Sequence, residues 1–382
     1  MSWRGDFALY AAALHALELK SRRRTLTSRS GVDFTSNDYL GLAGSRRLRD
    51  AVTAAMANGT PVGAGGSRLL RGNAPEHEAL EAAAALFFGC ERSVFFGSGY
   101  VANYAVLSTL PQKEDLIVLD ALAHASANEG ARAGRAQAVQ AAHNDVQAVD
   151  NAIVAWRARG GRGRVWIVVE SLYSMDGDRA PLKDLLRIAD HRNAILFVDE
   201  AHATGVFGPQ GRGLAASFEG RENVLVLHTC SKALGGAGAL FNSPRVLADF
   251  LINRCRPFVY ATAPSPLMAI AALEALKVLQ EEPERRERLA NLVAFALETA
   301  RARGIMLTSN SQILPFIVGE DERALALAAA LQARGFDVRA VRPPTVPEGT
   351  ARLRIAITLN VDERDIVGLF GALMHERQAL AP

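Results

Sequence analysis

The sequence predicts an α/β protein in which a mainly parallel sheet is wrapped by helices, followed by a smaller α+β C-terminal domain. Three observations lead there. Short apolar runs alternate with longer helical patterns, a polar cluster follows nearly every run, and the pattern changes character after Pro264 and Pro266.

The runs are Ser93–Phe96, Leu116–Leu119, Val165–Val169, Ile195–Val198 and Val224–Leu227. Each is too short for a helix and, Ser93 apart, apolar throughout, as strands buried on both faces are. Ligands bind beyond the carboxyl ends of such strands. The residues expected there are Gly97–Tyr100, Asp120–His124, Glu170–Ser174, Asp199–His202 and Thr229–Lys232.

Upstream, Phe7, Tyr10, Leu14 and Leu17 fall at helical spacing within residues 1–24, which close on Arg22, Arg23 and Arg24, so an amphipathic helix with a cationic end is expected. The glycines at 63, 65, 66 and 72 mark a loop. Asn73-Ala-Pro-Glu76 then supplies a cap for a helix running to Gly89. Arg157–Arg164, rich in Gly and Arg, predicts a surface loop. Beyond Pro266 come a long helical pattern, Ile313–Val318, a helix near Ala324–Ala333, and Leu353–Ile357. The expected division is an N-terminal arm at 1–44, a large domain at 45–265 and a small domain at 266–382.

With 49% hydrophobic and 22% charged residues in a chain of 382, the composition fits an ordinary globular protein and gives no support for disorder or a fibrous repeat. A net charge of +3 gives weak attraction to nucleic acid or anionic membrane. Cys90, Cys230 and Cys255 are odd in number and form no Cys-x-x-Cys pair, which argues against a disulfide framework and a zinc site and for a reducing compartment. No run reaches the ~20 apolar residues of a membrane span. The cytoplasm is the expected location, with no nucleic-acid or membrane partner.

The chemistry concentrates at two strand ends. Val224-Leu-Val-Leu-His-Thr-Cys-Ser-Lys-Ala-Leu-Gly-Gly236 presents hydroxyls and Lys232 before a glycine-rich turn, the setting of a Schiff-base lysine. Ile195-Leu-Phe-Val-Asp-Glu-Ala-His202 ends in a carboxylate and an imidazole. Asp199 suits a protonated pyridine nitrogen, and His202 suits a hydrogen bond near the ring oxygen. No His-Glu-x-x-His or cysteine cluster accompanies them, so a cofactor is favoured over a metal. Gly97-Ser-Gly-Tyr-Val-Ala102, with Asp120 further on, also satisfies a dinucleotide-binding pattern, but that alternative leaves Asp199, His202 and Lys232 without a task. A catalytically silent thioester-binding protein on the same fold is a third reading. In the C-terminal part Arg342 and Arg354 each offer a planar fork for a carboxylate, beside the prolines of Arg342-Pro-Pro-Thr-Val-Pro347; Arg354 is favoured for an α-carboxylate.

Asp199-Glu-Ala-His202 and Thr229-Cys-Ser-Lys232 resemble the fold-type I pyridoxal 5′-phosphate (PLP) enzymes, and among them the α-oxoamine synthases. Ser36-Asn-Asp-Tyr-Leu-Gly-Leu42, Gly65-Gly-Ser67, Ser98-Gly-Tyr100, His124-Ala-Ser126, Ser174-Met-Asp-Gly-Asp178 and Gly205-Val-Phe-Gly-Pro-Gln-Gly-Arg-Gly213 resemble the family's motifs in the family's order. The resemblance implies PLP on Lys232, with catalytic roles for His124, Asp199 and His202. It places Glu170, Ser174, Asp199 and His202 around the ring, His124 on its face, and Gly99, Tyr100 and Thr229 at the phosphate. Asn37, His124, Arg342 and Thr345 are expected to touch substrate, together with Arg354 and with Arg22, whose basic cluster Arg22–Arg24 suits a distal carboxylate or the carrier's phosphates. Arg342–Pro347 is most similar to members that join L-alanine to a pimeloyl thioester on the way to biotin. A homodimer is also implied.

Overall fold

The computed structural model describes residues 7–379. Among these residues the strands are β1 (Val32–Asp33), β2 (Arg92–Phe96), β3 (Leu116–Asp120), β4 (Gln137–Ala141), β5 (Val165–Glu170), β6 (Ala194–Asp199), β7 (Val224–Thr229), β8 (Ala239–Ser243), β9 (Ile313–Gly319), β10 (Phe336–Asp337), β11 (Arg339–Val341) and β12 (Ala351–Ala356). The chain forms two compact units. The larger comprises 37–174 and 178–288, and the smaller comprises 7–36, 175–177 and 289–379.

The larger unit is built on a seven-stranded sheet ordered β2-β8-β7-β6-β5-β3-β4. Strands β7, β6, β5, β3 and β4 pair in parallel, and β8 runs against both of its neighbours. All five expected strands are present. β4 and β8 escaped the sequence reading for different reasons. Gln137-Ala-Val-Gln-Ala141 is a polar edge strand, mostly exposed and stripped of the apolar run that marks a central one. β8 follows the glycine-rich turn at once, so its five residues merge with the loop.

Alternate residues feed two cores. Ile117, Leu119, Trp166, Val168, Ile195, Phe197, Leu225 and Leu227 pack on one face, and Leu116, Val118, Val165, Ile167, Leu196, Val198, Val224 and Val226 on the other. The period of two explains why both sets must be apolar. Each fully buried Val, Leu, Ile or Phe contributes about 1.5–3 kcal/mol.

The helix expected to end at Gly89 spans Pro75–Phe88, and Gly89 closes it in the left-handed conformation at φ 78°. Its N-cap is Ala74 rather than Asn73. The His77 ring nitrogen accepts the Ala74 N–H at 3.1 Å, so an imidazole replaces the expected amide cap. The presumed loop at 157–164 loses its first two residues to the helix Val146–Ala158.

In the smaller unit β11, β12 and β9 form an antiparallel sheet, and β1 pairs in parallel with β10. The N-terminal helix covers Ala8–Leu19 and ends short of the arginines. Its apolar side is not buried in this chain: Phe7, Leu9, Tyr10, Leu14, Leu17 and Leu19 are all exposed. No helix among the described residues is long and apolar enough to cross a membrane.

Candidate active site

Because β3, β5, β6 and β7 are parallel, their carboxyl ends open on one edge of the sheet. Lys232 lies three residues past β7, and its Nζ is 2.7 Å from Nε2 of His202, three residues past β6. Tyr39 Oη sits 2.7 Å from His202 Nδ1 and donates to Asn37 Oδ1 at 3.0 Å. With the amine as donor, the hydrogens run in one direction: Lys232 to Nε2, Nδ1–H to Tyr39, and the Tyr39 hydroxyl to Asn37. A line of four polar groups thus ends on the amine, and Tyr39 is wholly buried.

Asp199 closes β6 and is buried. Its Oδ1 accepts the Ala201 N–H at 2.9 Å, and its Oδ2 accepts Asn103 Nδ2 at 2.6 Å. The same Asn103 amide donates to Ser126 Oγ at 3.0 Å, and Ser126 Oγ lies 2.7 Å from His124 Nδ1. Burial draws the His124 imidazole below its usual range, so the ring is uncharged near neutrality. Glu170, at the end of β5, stands in register with Asp199 across the β5–β6 pair. Burial, aided by the neighbouring Asp199 charge, pushes its carboxyl up to about 8. Its Oε2 accepts the Ser174 N–H at 3.2 Å, while Oε1 is buried without a hydrogen-bond partner.

The helix Gly99–Thr109 opens beside the end of β7. Ser98 caps it by accepting the Val101 N–H at 3.2 Å, leaving the first turn's N–H groups and the helix dipole facing outward. Thr229 Oγ1 and Ser231 Oγ lie 2.9 Å apart next to this end, and a Cβ on Gly99 would approach Thr229 to 3.6 Å. A glycine keeps that space open for an anion.

The larger unit therefore holds Lys232, His202, Asp199, Glu170, Ser174, His124, Thr229, Gly99 and Tyr100. Sequence reading missed Asn103, Ser126 and Ser231 as contributors. Asn103 had one visible signal, a polar residue on the buried face of Val101-Ala-Asn-Tyr-Ala-Val-Leu107. In the smaller unit Arg22 is already paired: it donates to Asp321 at 2.6 Å and to Glu348 at 2.8 Å. Arg342 donates to the Ser21 carbonyl, and Arg24 reaches Thr345 Oγ1 at 3.1 Å. Arg352 is paired with Asp176, and Arg354 lies buried in β12.

This arrangement fits PLP. An amine held against an imidazole, a buried carboxylate, a carboxyl oxygen lacking a partner and an anion cradle are what the aldehyde, the ring and the phosphate require. The sequence profile of the class I and II aminotransferases matches residues 29–369. The chain belongs to this family.

Class I and II aminotransferase relatives with curated names include the 8-amino-7-oxononanoate synthase of Anaeromyxobacter dehalogenans strain 2CP-1, 42% identical, covering 97% of this chain and 96% of that one. A putative 8-amino-7-oxononanoate synthase of Geobacillus kaustophilus is 40% identical over 92% and 93% of the two chains. Among solved structures, serine palmitoyltransferase of S. paucimobilis with bound PLP-myriocin superposes with a TM-score of 0.87 at 28% identity, covering 98% of each chain. The 8-amino-7-oxononanoate synthase of Francisella tularensis gives 0.76 at 28% identity, over 92% of this chain and 98% of that one. This family member is a fold-type I, PLP-dependent transferase.

Proposed function

We propose that the chain is an 8-amino-7-oxononanoate synthase, condensing L-alanine with a pimeloyl thioester and releasing the thiol and carbon dioxide. The observation that carries this reading is near-full-length similarity to curated synthases of that name, joined to the Lys232–His202 pair at 2.7 Å. PLP, when bound, supplies an electron sink for charge developing at the α-carbon of the amino acid.

This chain's residues do the rest. Lys232 holds the cofactor and takes and returns the α-proton, and His202 with Tyr39 behind it passes hydrogen-bond polarity to that amine. Asp199, fixed by Asn103, would hold the pyridine nitrogen. Glu170 stays protonated at neutral pH, so the two facing carboxyls do not repel. His124, uncharged, would pack against the ring. Thr229, Ser231 and the helix start at Gly99–Tyr100 bind the phosphate. Arg354 is assigned to the alanine carboxylate, with Asn37 on the substrate side. Arg342 and Thr345 are assigned to the acyl donor; Arg22 orders this region through Asp321 and Glu348, and Arg24 supplies a charge on Thr345.

The exposed apolar side of the helix Ala8–Leu19 supports a homodimer, since such a surface is normally covered. The three free cysteines, two of them buried, support a reducing, cytoplasmic setting. The test is a panel of alanine, glycine and serine against pimeloyl, acetyl, succinyl and palmitoyl thioesters, read as thiol release. Alanine with pimeloyl thioester is the expected pair, and preference for any other overturns the substrate assignment.

A further inference from the structure

Beside the cofactor site lies a half-buried charge cluster that the chemistry above does not use. His143 stands just past β4 with Nδ1 at 2.8 Å from Asp120 Oδ1 and Nε2 at 2.8 Å from Asp178 Oδ2. Both carboxylates accept, so these two contacts are satisfied together when both ring nitrogens carry hydrogen; Asn144 Nδ2 also lies 3.2 Å from Nε2. Asp120 ends β3 and also accepts the N–H groups of Leu122 and Asn144, each at 2.8 Å. Asp178 also accepts Asn144 Nδ2 at 2.6 Å. The Tyr173 ring stands edge-on to the imidazole, with centroids 4.4 Å apart.

Tyr173 and Asp178 belong to a hairpin at 171–180, closed by Tyr173 N–H to the Asp178 carbonyl at 2.9 Å and Ala180 N–H to the Ser171 carbonyl at 3.1 Å. Its root is Glu170 and its first arm carries Ser174, two residues of the cofactor site. We propose that His143, clamped as an imidazolium between Asp120 and Asp178, is a positioning residue that ties this hairpin to the end of β3 and so holds Glu170 and Ser174 in place. The proposal rests on the cofactor-site reading above.

The charged groups facing His143 are Asp120 from β3 and Asp178 from the hairpin, with Tyr173 against its ring. Burial would pull the imidazolium down, but the bonds to Asp120 and Asp178 outweigh it and push it up to about 10. Burial would likewise raise Asp120, and its bonds from His143 and the backbone hold it low instead.

The holoenzyme labelled with 15N-histidine tests the charge directly. At pH 8 one ring is expected to show both nitrogens protonated, and Asp178→Asn should bring that ring's titration down toward the ordinary range. A neutral ring at pH 8 for every histidine overturns the clamp, whatever the turnover. His143→Gln should lower kcat roughly tenfold or more, leave the KM for alanine nearly unchanged, and shift the visible band of bound PLP. Unchanged kcat and band overturn the positioning role. If that variant does not fold, the Asp178→Asn protein decides: its kcat should fall as pH passes the lowered histidine titration, and a flat profile there overturns the role. Wild-type protein that binds PLP but fails with alanine and pimeloyl thioester would sink the substrate assignment alone, since the nuclear resonance readout needs neither substrate.

Discussion

At the level of single residues, the site depends on polar groups whose partners lie far away in sequence. Lys232→Ala should leave PLP held through Asp199 and the phosphate cradle but shift its absorbance from the imine band to that of the free aldehyde, abolish borohydride fixation to the chain and reduce thiol release to background. A variant retaining wild-type turnover would show that another group does this work. Asn103 is a sharper test because sequence gave it no role. Hydrogen bonds to charged groups are worth about 1.5–3 kcal/mol, so Asn103→Ala should cost roughly 10–100-fold in kcat, read by steady-state kinetics. Parity with wild type would mean that Asp199 is positioned without it. Lys232, Asp199 and His202 were legible because each ends an apolar run. Asn103 was not, because a single polar residue on a helix does not by itself reveal its partner Asp199, which is 96 positions away.

Among the elements, the helices Gly99–Thr109 and Ala125–Ala133 matter most, since they carry Asn103 and Ser126. They approach closely at Gly130, where an added Cβ would meet Tyr104 Cα at 2.8 Å and the carbonyls of Asn103 and Tyr104 at 3.0 Å. Backbone cannot yield as a side chain can. Gly130→Ala should therefore destabilise the protein by about 1–3 kcal/mol in urea unfolding and weaken PLP binding as the helices part. Gly44 is the control: a Cβ there meets nothing within 4 Å, and Gly44→Ala should stay within about 0.5 kcal/mol of wild type. Equal effects at the two positions would refute the packing argument. Strands β2, β3, β5, β6 and β7 were readable from apolar runs, while the edge strand β4 and the reversed strand β8 lacked that signal. Pairing with neighbours, which sequence pattern does not display, makes them strands.

Across the molecule, buried ionisable groups couple the site to stability. Glu170 holds a proton in the folded state up to about 8, whereas an unfolded glutamate releases it near 4.5. The folded state thus binds more protons between these values, and stability falls as pH rises through that window. Glu170→Gln, which is neutral throughout, should flatten the pH dependence of the urea midpoint between pH 5 and 8. An unaltered slope would mean that Glu170 is ionised in the folded protein.

The sequence by itself determined the fold class, the order of the central strands along the chain, the polar residues at their ends and the resemblance that named the chemistry. These are local properties: burial on two faces forces apolar runs, and parallel strands force polar ends. The tertiary structure alone decided which polar groups meet. It joined Tyr39 to His202 and Lys232, Asn103 to Asp199, and His143 to both Asp120 and Asp178. It also showed the charge of Arg22 already balanced by Asp321 and Glu348. Hydrogen bonds and ion pairs act across a few ångströms of space, and the distance between their partners along the chain leaves no periodic trace in the sequence.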